Sequence, residues 1–342
     1  MASPRLKSSQ LRERSLLLTD RKITGMQSAP GIIDMRDAFF SALFDLARRD
    51  TNVVFLTADM GAYSLGKFKA ELPGQYINIG IAEQNMASVA AGLSLSGKKV
   101  FIYAIAPFVT QRCYEQIKVD ISGMNLPVTV VGIGGGISYN SDGLSHHATQ
   151  DIAVMRALPN FAIYSPSDAI SAAASAVLSY HGNAPSYVRL DKGTYAPLYR
   201  SNERFSAGVT ELKKGNDILI ISTGPITHNA MKVSIALEKS GLRAGVADLY
   251  RIKPLNGTAI LKIIKSYRRI ATLEEHSSIG GIGSAISELL TDNAIAEAPL
   301  KRLALRDCTC DGYGDREWML AQHGLDINSL ANTVITFIKG AK

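Results

Sequence analysis

The chain has 342 residues, more than one domain of about 100 to 200 residues needs, so two hydrophobic cores are expected. With 46% hydrophobic and 20% charged residues, 29 Gly and 12 Pro, the composition excludes a disordered, collagenous or disulfide-built protein. The net charge of +7 is concentrated toward the start: the first 30 residues hold six basic side chains (Arg5, Lys7, Arg12, Arg14, Arg21, Lys22) against Glu13 and Asp20, with no aromatic interleaved, which predicts a solvated basic arm over residues 1–30 and argues against nucleic acid as a partner.

From residue 31 on, apolar runs of strand length alternate with amphipathic stretches. Strands are expected at Val53 to Thr57, Tyr76 to Ile79, Val100 to Ala104, Val128 to Val131, Phe161 to Ser165 and Tyr187 to Leu190; runs this apolar suit strands covered on both faces. Helices are expected at Arg36 to Arg48, Glu83 to Leu95, Val109 to Gly123 and Asp168 to Ser179. This order implies a parallel sheet with right-handed crossovers, a first domain over residues 31–193. Residues 194–214 break the pattern with Pro197, Gly208 and a scatter of charges, and read as a connection. A second α/β series fills residues 215–342, with strands at Ile218 to Ser222, Ala244 to Leu249, Ile270 to Leu273 and Leu300 to Leu305. Its helices are expected at Thr227 to Ser240, Thr258 to Lys265, Ile282 to Leu290 and Asp326 to Ile338. The fold class is therefore α/β, two consecutive domains, each a mostly parallel sheet covered by helices.

Cys113, Cys308 and Cys310 contain no C-x-x-C pair and encode neither a disulfide framework nor a zinc site, which fits a reducing, cytoplasmic location. No run of about 18 apolar residues argues for a membrane span, and the first residues lack the apolar core of a secretory signal. The glycine-rich stretches Gly132 to Gly136 and Gly280 to Gly283 miss the third glycine of a dinucleotide fingerprint, where Ile137 and Ile286 stand, and neither carries a Walker lysine.

The segment Ile77 to Met86 is more informative. A strand ends near Ile79, Gly80 permits a tight turn, and Glu83 falls in the first turn of the next helix, at the carboxyl edge of the sheet where open α/β folds bind ligands. A carboxylate is also favoured there by the unpaired N–H groups of a helix start, so position alone leaves a capping role open. The small residues Ala87, Ser88, Ala90, Ala91 and Gly92 allow close packing of this helix, and a carboxylate packed so closely needs a partner.

The run Gly80-Ile-Ala-Glu-Gln-Asn85 with Ala90-Ala-Gly-Leu93 resembles the pyrimidine-binding domain of thiamine-diphosphate enzymes of the transketolase and deoxyxylulose-phosphate synthase group. Leu56 to Gly61, Gln111 to Ile117, Ser141 to His146, Ala157 to Asn160 and Ser165 to Asp168 agree with it. The second domain is similar to the group's C-terminal domain through Thr223-Gly224, Lys253-Pro-Leu255, Glu274-Glu-His-Ser277, Gly280 to Gly283 and Gly324-Leu325.

The resemblance implies that Glu83 hydrogen-bonds a ring nitrogen of the cofactor's aminopyrimidine and so promotes formation of a thiazolium ylide that attacks a ketose carbonyl, work that requires a carboxyl shielded from water. It places Phe108 and Tyr114 at aromatic positions near the pyrimidine and Gln111 at a third that is often aromatic, although core aromatics at helical spacing are the alternative. Asp59 matches a residue that approaches the cofactor across a subunit interface. Asp142 and His146 match residues that hydrogen-bond sugar hydroxyls; incidental polar residues of a surface loop are the alternative. For the sugar's terminal phosphate, Arg36 keeps one basic position and Lys192 replaces an arginine, while Gly134 and Tyr63 stand where a histidine and a serine are expected. A lysine lacks the planar fork of arginine, so reading of phosphate at this end is weakened.

The resemblance further implies that thiamine diphosphate is gripped at its other end through Mg2+ by a domain that carries Gly-Asp-Gly, which supplies the hard oxygen ligands magnesium requires. This sequence has none, since Gly314-Asp315 continues into Arg316. The expectation is the carboxyl-terminal half of a split transketolase, acting with a separate diphosphate-binding subunit, two copies of each chain forming the assembly, to transfer a two-carbon ketol unit from a ketose to an aldehyde. The β subunit of a 2-oxo-acid dehydrogenase, a ketol transferase with a carrier-bound or non-sugar acceptor, and a scaffold without chemistry are the alternatives.

Overall fold

The structure, a computed structural model, describes residues 33–295, 298–310 and 312–340; the basic arm expected over residues 1–30 lies outside them. The first domain opens with α1 (Met35–Ala47), started by Asp34, whose carboxylate accepts the backbone N–H groups of Arg36 and Asp37. It continues through β1 (Val53–Thr57), α2 (Leu65–Glu71), β2 (Tyr76–Asn78), α3 (Glu83–Leu95), β3 (Lys99–Ile105), β4 (Thr129–Ile133), α4 (Asp151–Ala157), β5 (Ala162–Tyr164), α5 (Ala169–His181) and β6 (Ser186–Leu190). The second contains β7 (Thr210–Lys213), β8 (Ile218–Ser222), α6 (Thr227–Glu238), β9 (Ala244–Asp248), β10 (Arg251–Lys253), α7 (Gly257–Ile264), β11 (Ile270–Ser277), α8 (Ile282–Asp292), β12 (Leu300–Leu305), α9 (Arg316–Gln322) and α10 (Ile327–Gly340).

The larger sheet has the order β10-β5-β6-β4-β3-β1-β2 and the smaller the order β12-β11-β8-β9-β7. Strands β1, β4, β6, β8 and β9 are buried along their whole length, the physical reason their sequences run apolar rather than alternate. Pairings between these described strands are parallel except at two edges, where β10 lies antiparallel on β5 and β7 antiparallel on β9.

The fold departs from expectation at those two edges and in the short helices α2, α4 and α9, seven residues each, which have no counterpart among the helices expected from the sequence. β7 lies inside the stretch read as a connection, because Thr-Glu-Leu-Lys has no apolar run and its residues are only half buried. β10 crosses from the second domain to complete the first sheet, three residues too short and too charged to register as a strand. A third difference concerns Val109 to Gly123: it is π-helical over Phe108–Arg112 and Ile117–Ser122, with a short α-helical turn at Tyr114–Gln116 between them. The Thr110 hydroxyl donates back to the Ala106 carbonyl at 2.6 Å, a bond that competes with regular helical pairing.

The domains share one apolar cluster, which joins Leu56, Ile102 and Val130 of the larger sheet to Leu219, Ile221 and Ile270 of the smaller. Polar locks flank it. Buried Arg189 holds Asp151 at 2.7 Å and the Ala148 and Glu275 carbonyls at 3.0 Å, while the Lys253 ammonium donates to the carbonyls of Arg156 and Leu158. Among the described residues, no helix is long and apolar enough to cross a membrane.

Candidate active site

The carboxyl ends of β1 and β2 are tied by one side chain. Asn78 Oδ1 accepts the N–H of Asp59 at 3.1 Å and of Gly80 at 3.0 Å, and its Nδ2 donates to Asp59 Oδ1 at 3.0 Å. This bracket holds Asp59 in the left-handed backbone region, at φ 54°, and fixes the Gly80 turn, at φ 80°, through which β2 passes into α3, whose Met86, Ala87, Ala90 and Ala91 pack against the sheet. Glu83 is the first residue of α3 and only 4% exposed.

The partner required by this packed carboxylate is Arg112, whose Nη1 lies 3.0 and 3.1 Å from the two oxygens of Glu83. The same guanidinium lies over the Phe108 ring, 3.8 Å from its centre. Phe108 meets the His146 ring at 5.0 Å between centres, and His146 meets the Tyr139 ring at 5.7 Å. On Tyr139 rests the Lys192 ammonium, 4.0 Å from the ring centre. An unbroken series of contacts thus runs from Glu83 to Lys192 along the carboxyl edge of the larger sheet.

Tyr139 organises the far end. Burial pushes its phenol up, so it stays protonated at neutral pH, and the charges of Arg36 and Asp142 both act on it. Its ring occupies the space that the missing side chain of Gly134 leaves: a Cβ there, at φ 89°, would fall 2.1 Å from ring atom Cε2. Arg36 lies beside Asp34, with 3.8 Å between Nε and Oδ1, and beside the Tyr103 phenol. Asp142 is exposed on the loop, its N–H donating to the Tyr139 carbonyl. His146 Nδ1 pairs with the Ser145 hydroxyl at 2.9 Å.

Seven of the nine residues singled out in the sequence therefore gather at this edge: Glu83, Phe108, His146, Lys192, Arg36 and Asp142 along the contact series, and Asp59 beside it. The other two have different partners. Gln111 is exposed and bonds Gln150 at 3.3 Å, and the Tyr114 hydroxyl donates to the Val154 carbonyl at 3.1 Å while its ring packs on the core. Asn78, Arg112 and Tyr139 were not foreseen as functional. Arg112 lies inside the run from Gln111 to Ile117, but a cation on a helical segment carries no mark of the carboxylate it will meet 29 residues away.

The pyrimidine end of thiamine diphosphate fits this donor set: a carboxyl withdrawn from water lies next to an aromatic ring, with a histidine beyond. Glu83 could share a proton with a ring nitrogen and Phe108 could cover the ring. Among the described residues, no group of three or more side chains that could hold a metal ion is present.

Residues 32–197 match the family model described as transketolase, pyrimidine binding domain, and residues 208–330 the model described as transketolase, C-terminal domain. The chain is 35% identical over 314 residues to an apulose-4-phosphate transketolase subunit of Phocaeicola vulgatus, covering 91% of this chain and 99% of that one. It is 33% identical to the 6-deoxy-6-sulfo-D-fructose transketolase subunit SqwH of a Clostridium species, covering 80% and 85%. Among solved structures, a split-gene transketolase described as an inactive β4 tetramer superposes with a TM-score of 0.80 at 31% identity, covering 90% of this chain and 99% of that one. Transketolase from Pichia stipitis gives 0.77 at 19% identity and covers 47% of that longer chain, a likeness of fold.

Proposed function

The chain belongs to the transketolase family, and on that premise we propose that it is the pyrimidine-side subunit of a two-component enzyme transferring a two-carbon ketol unit from a ketose to an aldehyde. The family depends on thiamine diphosphate, which supplies when bound the carbon centre that carries the two-carbon unit. What this chain supplies is the environment. Glu83 holds a proton against a ring nitrogen of the aminopyrimidine, Phe108 covers the ring, and Asp59 approaches the cofactor across a subunit interface. Asp142 and His146 hold the sugar hydroxyls, and Arg36 and Lys192 face its far end.

Magnesium and the diphosphate are assigned to a separate subunit, with two copies of each chain in the assembly and the cytoplasm as its location. The first relatives support a two-component arrangement, since both are named as subunits and the chain spans 99% and 85% of them. Their names also specify sugars with an anionic phospho or sulfo group, which suits a substrate end facing Arg36 and Lys192. Membership in this family favours ketol transfer over 2-oxo-acid oxidation.

The observation that carries the proposal is the contact series from Glu83 through Arg112, Phe108, His146 and Tyr139 to Lys192. Its test is reconstitution: co-expression with a diphosphate-domain transketolase subunit, addition of thiamine diphosphate and magnesium, and a mass-spectrometric screen of ketose donors with aldehyde acceptors. Ketol transfer that requires both chains is the expected result. A reconstituted complex that oxidises 2-oxo acids and transfers no ketol unit would overturn it.

A further inference from the structure

The segment 306–310 separates two small cavities and exposes sulfur to both. One, of about 230 Å³, lies between this segment and the stretch that follows Asp142, lined by Leu144, His147 and Gln150 opposite Arg306, Cys308 and Cys310. The other, of about 200 Å³, lies toward α9, lined by Trp318, Met319 and His323 opposite the same two cysteines. Cys308 is exposed, Cys310 half-buried, and neither is in a disulfide.

His323 gives the two sulfurs different chemistry. Its Nδ1 accepts the backbone N–H of Arg306 at 3.1 Å, and a backbone nitrogen can only donate. In the neutral ring the proton is therefore on Nε2, which lies 3.2 Å from Cys310 Sγ. Burial and the Arg306 charge keep this imidazole neutral at neutral pH by lowering its basicity. Cys310 sulfur thus stands as the acceptor of an N–H, the role a thiolate fills better than a thiol. Across the first cavity His147 is 2% exposed, its ring nitrogens closed off from solvent against the backbone of Tyr139 and Asn140.

From this geometry we propose that Cys308 and Cys310 form a peroxide-reactive thiol pair in which Cys310 is the attacking sulfur and Cys308 resolves the product. The Cys310 thiolate attacks one oxygen of a hydroperoxide, the O–O bond breaks, and the leaving oxygen departs as water or an alcohol with one proton, leaving Cys310 as a sulfenic acid. The Cys308 sulfur then attacks Cys310 sulfur, the S–O bond breaks, water leaves, and an S–S bond forms. Two thiols are oxidised by two electrons and one hydroperoxide is reduced. Further along the chain, the Gly314 carbonyl accepts from Asn140 Nδ2 at 2.6 Å and Arg316 donates to Asp191 at 2.7 Å.

The test uses the full chain, limiting hydrogen peroxide, a sulfenic-acid trap and peptide mass spectrometry. In the wild type the expected product is a peptide lacking two hydrogens with Cys308 joined to Cys310; in Cys308→Ser it is a trapped adduct on Cys310. Alkylation of the untreated wild type should label half-buried Cys310 before exposed Cys308, and His323→Gln should slow Cys310 by on the order of tenfold while leaving Cys308 unchanged. Faster labelling of Cys308 in the wild type, or an adduct on Cys308 alone, would overturn the proposal whether or not the His323 variant folds.

Discussion

Nη1 of Arg112 contacts both carboxylate oxygens of Glu83, at 3.0 and 3.1 Å, so one nitrogen rather than a two-nitrogen fork holds the buried group. The pairing joins a half-exposed cation to a carboxylate that is 4% exposed, and it explains how an acidic side chain tolerates the close packing of α3. Because the contact is point-like, lysine should satisfy it, whereas the flat stacking on Phe108 belongs to arginine alone. Arg112→Ala is expected to lower stability by about 1 kcal/mol, a charged hydrogen bond discounted for the exposure of the guanidinium, and Arg112→Lys should recover most of it. Urea denaturation midpoints measure both; equal losses would move the contribution to the Phe108 stack.

At the other end of the site, Lys192 rests on the Tyr139 ring and Arg36 acts on the same phenol. Lys192→Ala or Arg36→Ala should raise KM for phosphorylated sugars far more than for unphosphorylated ones, by about 10- to 150-fold for the loss of one charge-assisted contact of roughly 1.5 to 3 kcal/mol. Steady-state kinetics of the reconstituted enzyme with matched sugar pairs decides it, and equal effects on both members of a pair would mean that these cations do not read the phosphate.

Much of this architecture was legible because burial on both faces leaves an unambiguous mark: Val53 to Thr57 and Ile218 to Ser222 could hardly be anything but central strands. Edge strands carry no such mark, which is why β7 and β10 went unread; their stability comes from pairing with β9 and β5, information held elsewhere in the chain. The site divides in the same way. Glu83 and His146 stand out through local motifs, whereas Tyr139 matters because Gly134 leaves room for its ring, and Arg112 because a bulged helical turn carries it to Glu83. Tyr114, which the resemblance placed near the pyrimidine, lies apart from the contact series, its hydroxyl donating to the Val154 carbonyl.

Away from the site, Asp248 is fully buried and receives hydrogen bonds from Ser167 and Tyr199 at 2.7 Å each, with Thr227 at 3.4 Å. Burial pushes its carboxyl up to about 7 against an ordinary value of 3.8. The folded chain therefore binds a proton that the unfolded chain releases. The contribution is complete below about pH 4, declines as pH rises to about 7 by roughly 1.4 kcal/mol per unit, and is level above that. Asp248→Asn should remove this slope, so the stability difference between variant and wild type, read by denaturation at pH 5 and pH 8, should grow with pH in favour of the variant. A difference that stays flat would show that hydrogen bonds from Ser167 and Tyr199 offset the burial.

The mechanism itself rests on Glu83. Glu83→Gln keeps the size of the side chain and an oxygen for Arg112 to donate to, so fold and subunit assembly should survive, with a small loss of stability because the ionic component of that pair is gone. What the amide cannot do is share a proton with a ring nitrogen. General acid and base contributions run at about 100- to 10,000-fold, and turnover of the reconstituted enzyme should fall by at least the lower figure. Loss of turnover alone would not separate chemistry from binding, so the deciding measurement is exchange of the thiazolium proton for deuterium with the cofactor demonstrably bound. Slow exchange in the variant places Glu83 in the proton path. Exchange near the wild-type rate would leave Glu83 a helix-start carboxylate paired with Arg112, and the chemistry would have to be sought elsewhere along the sheet edge.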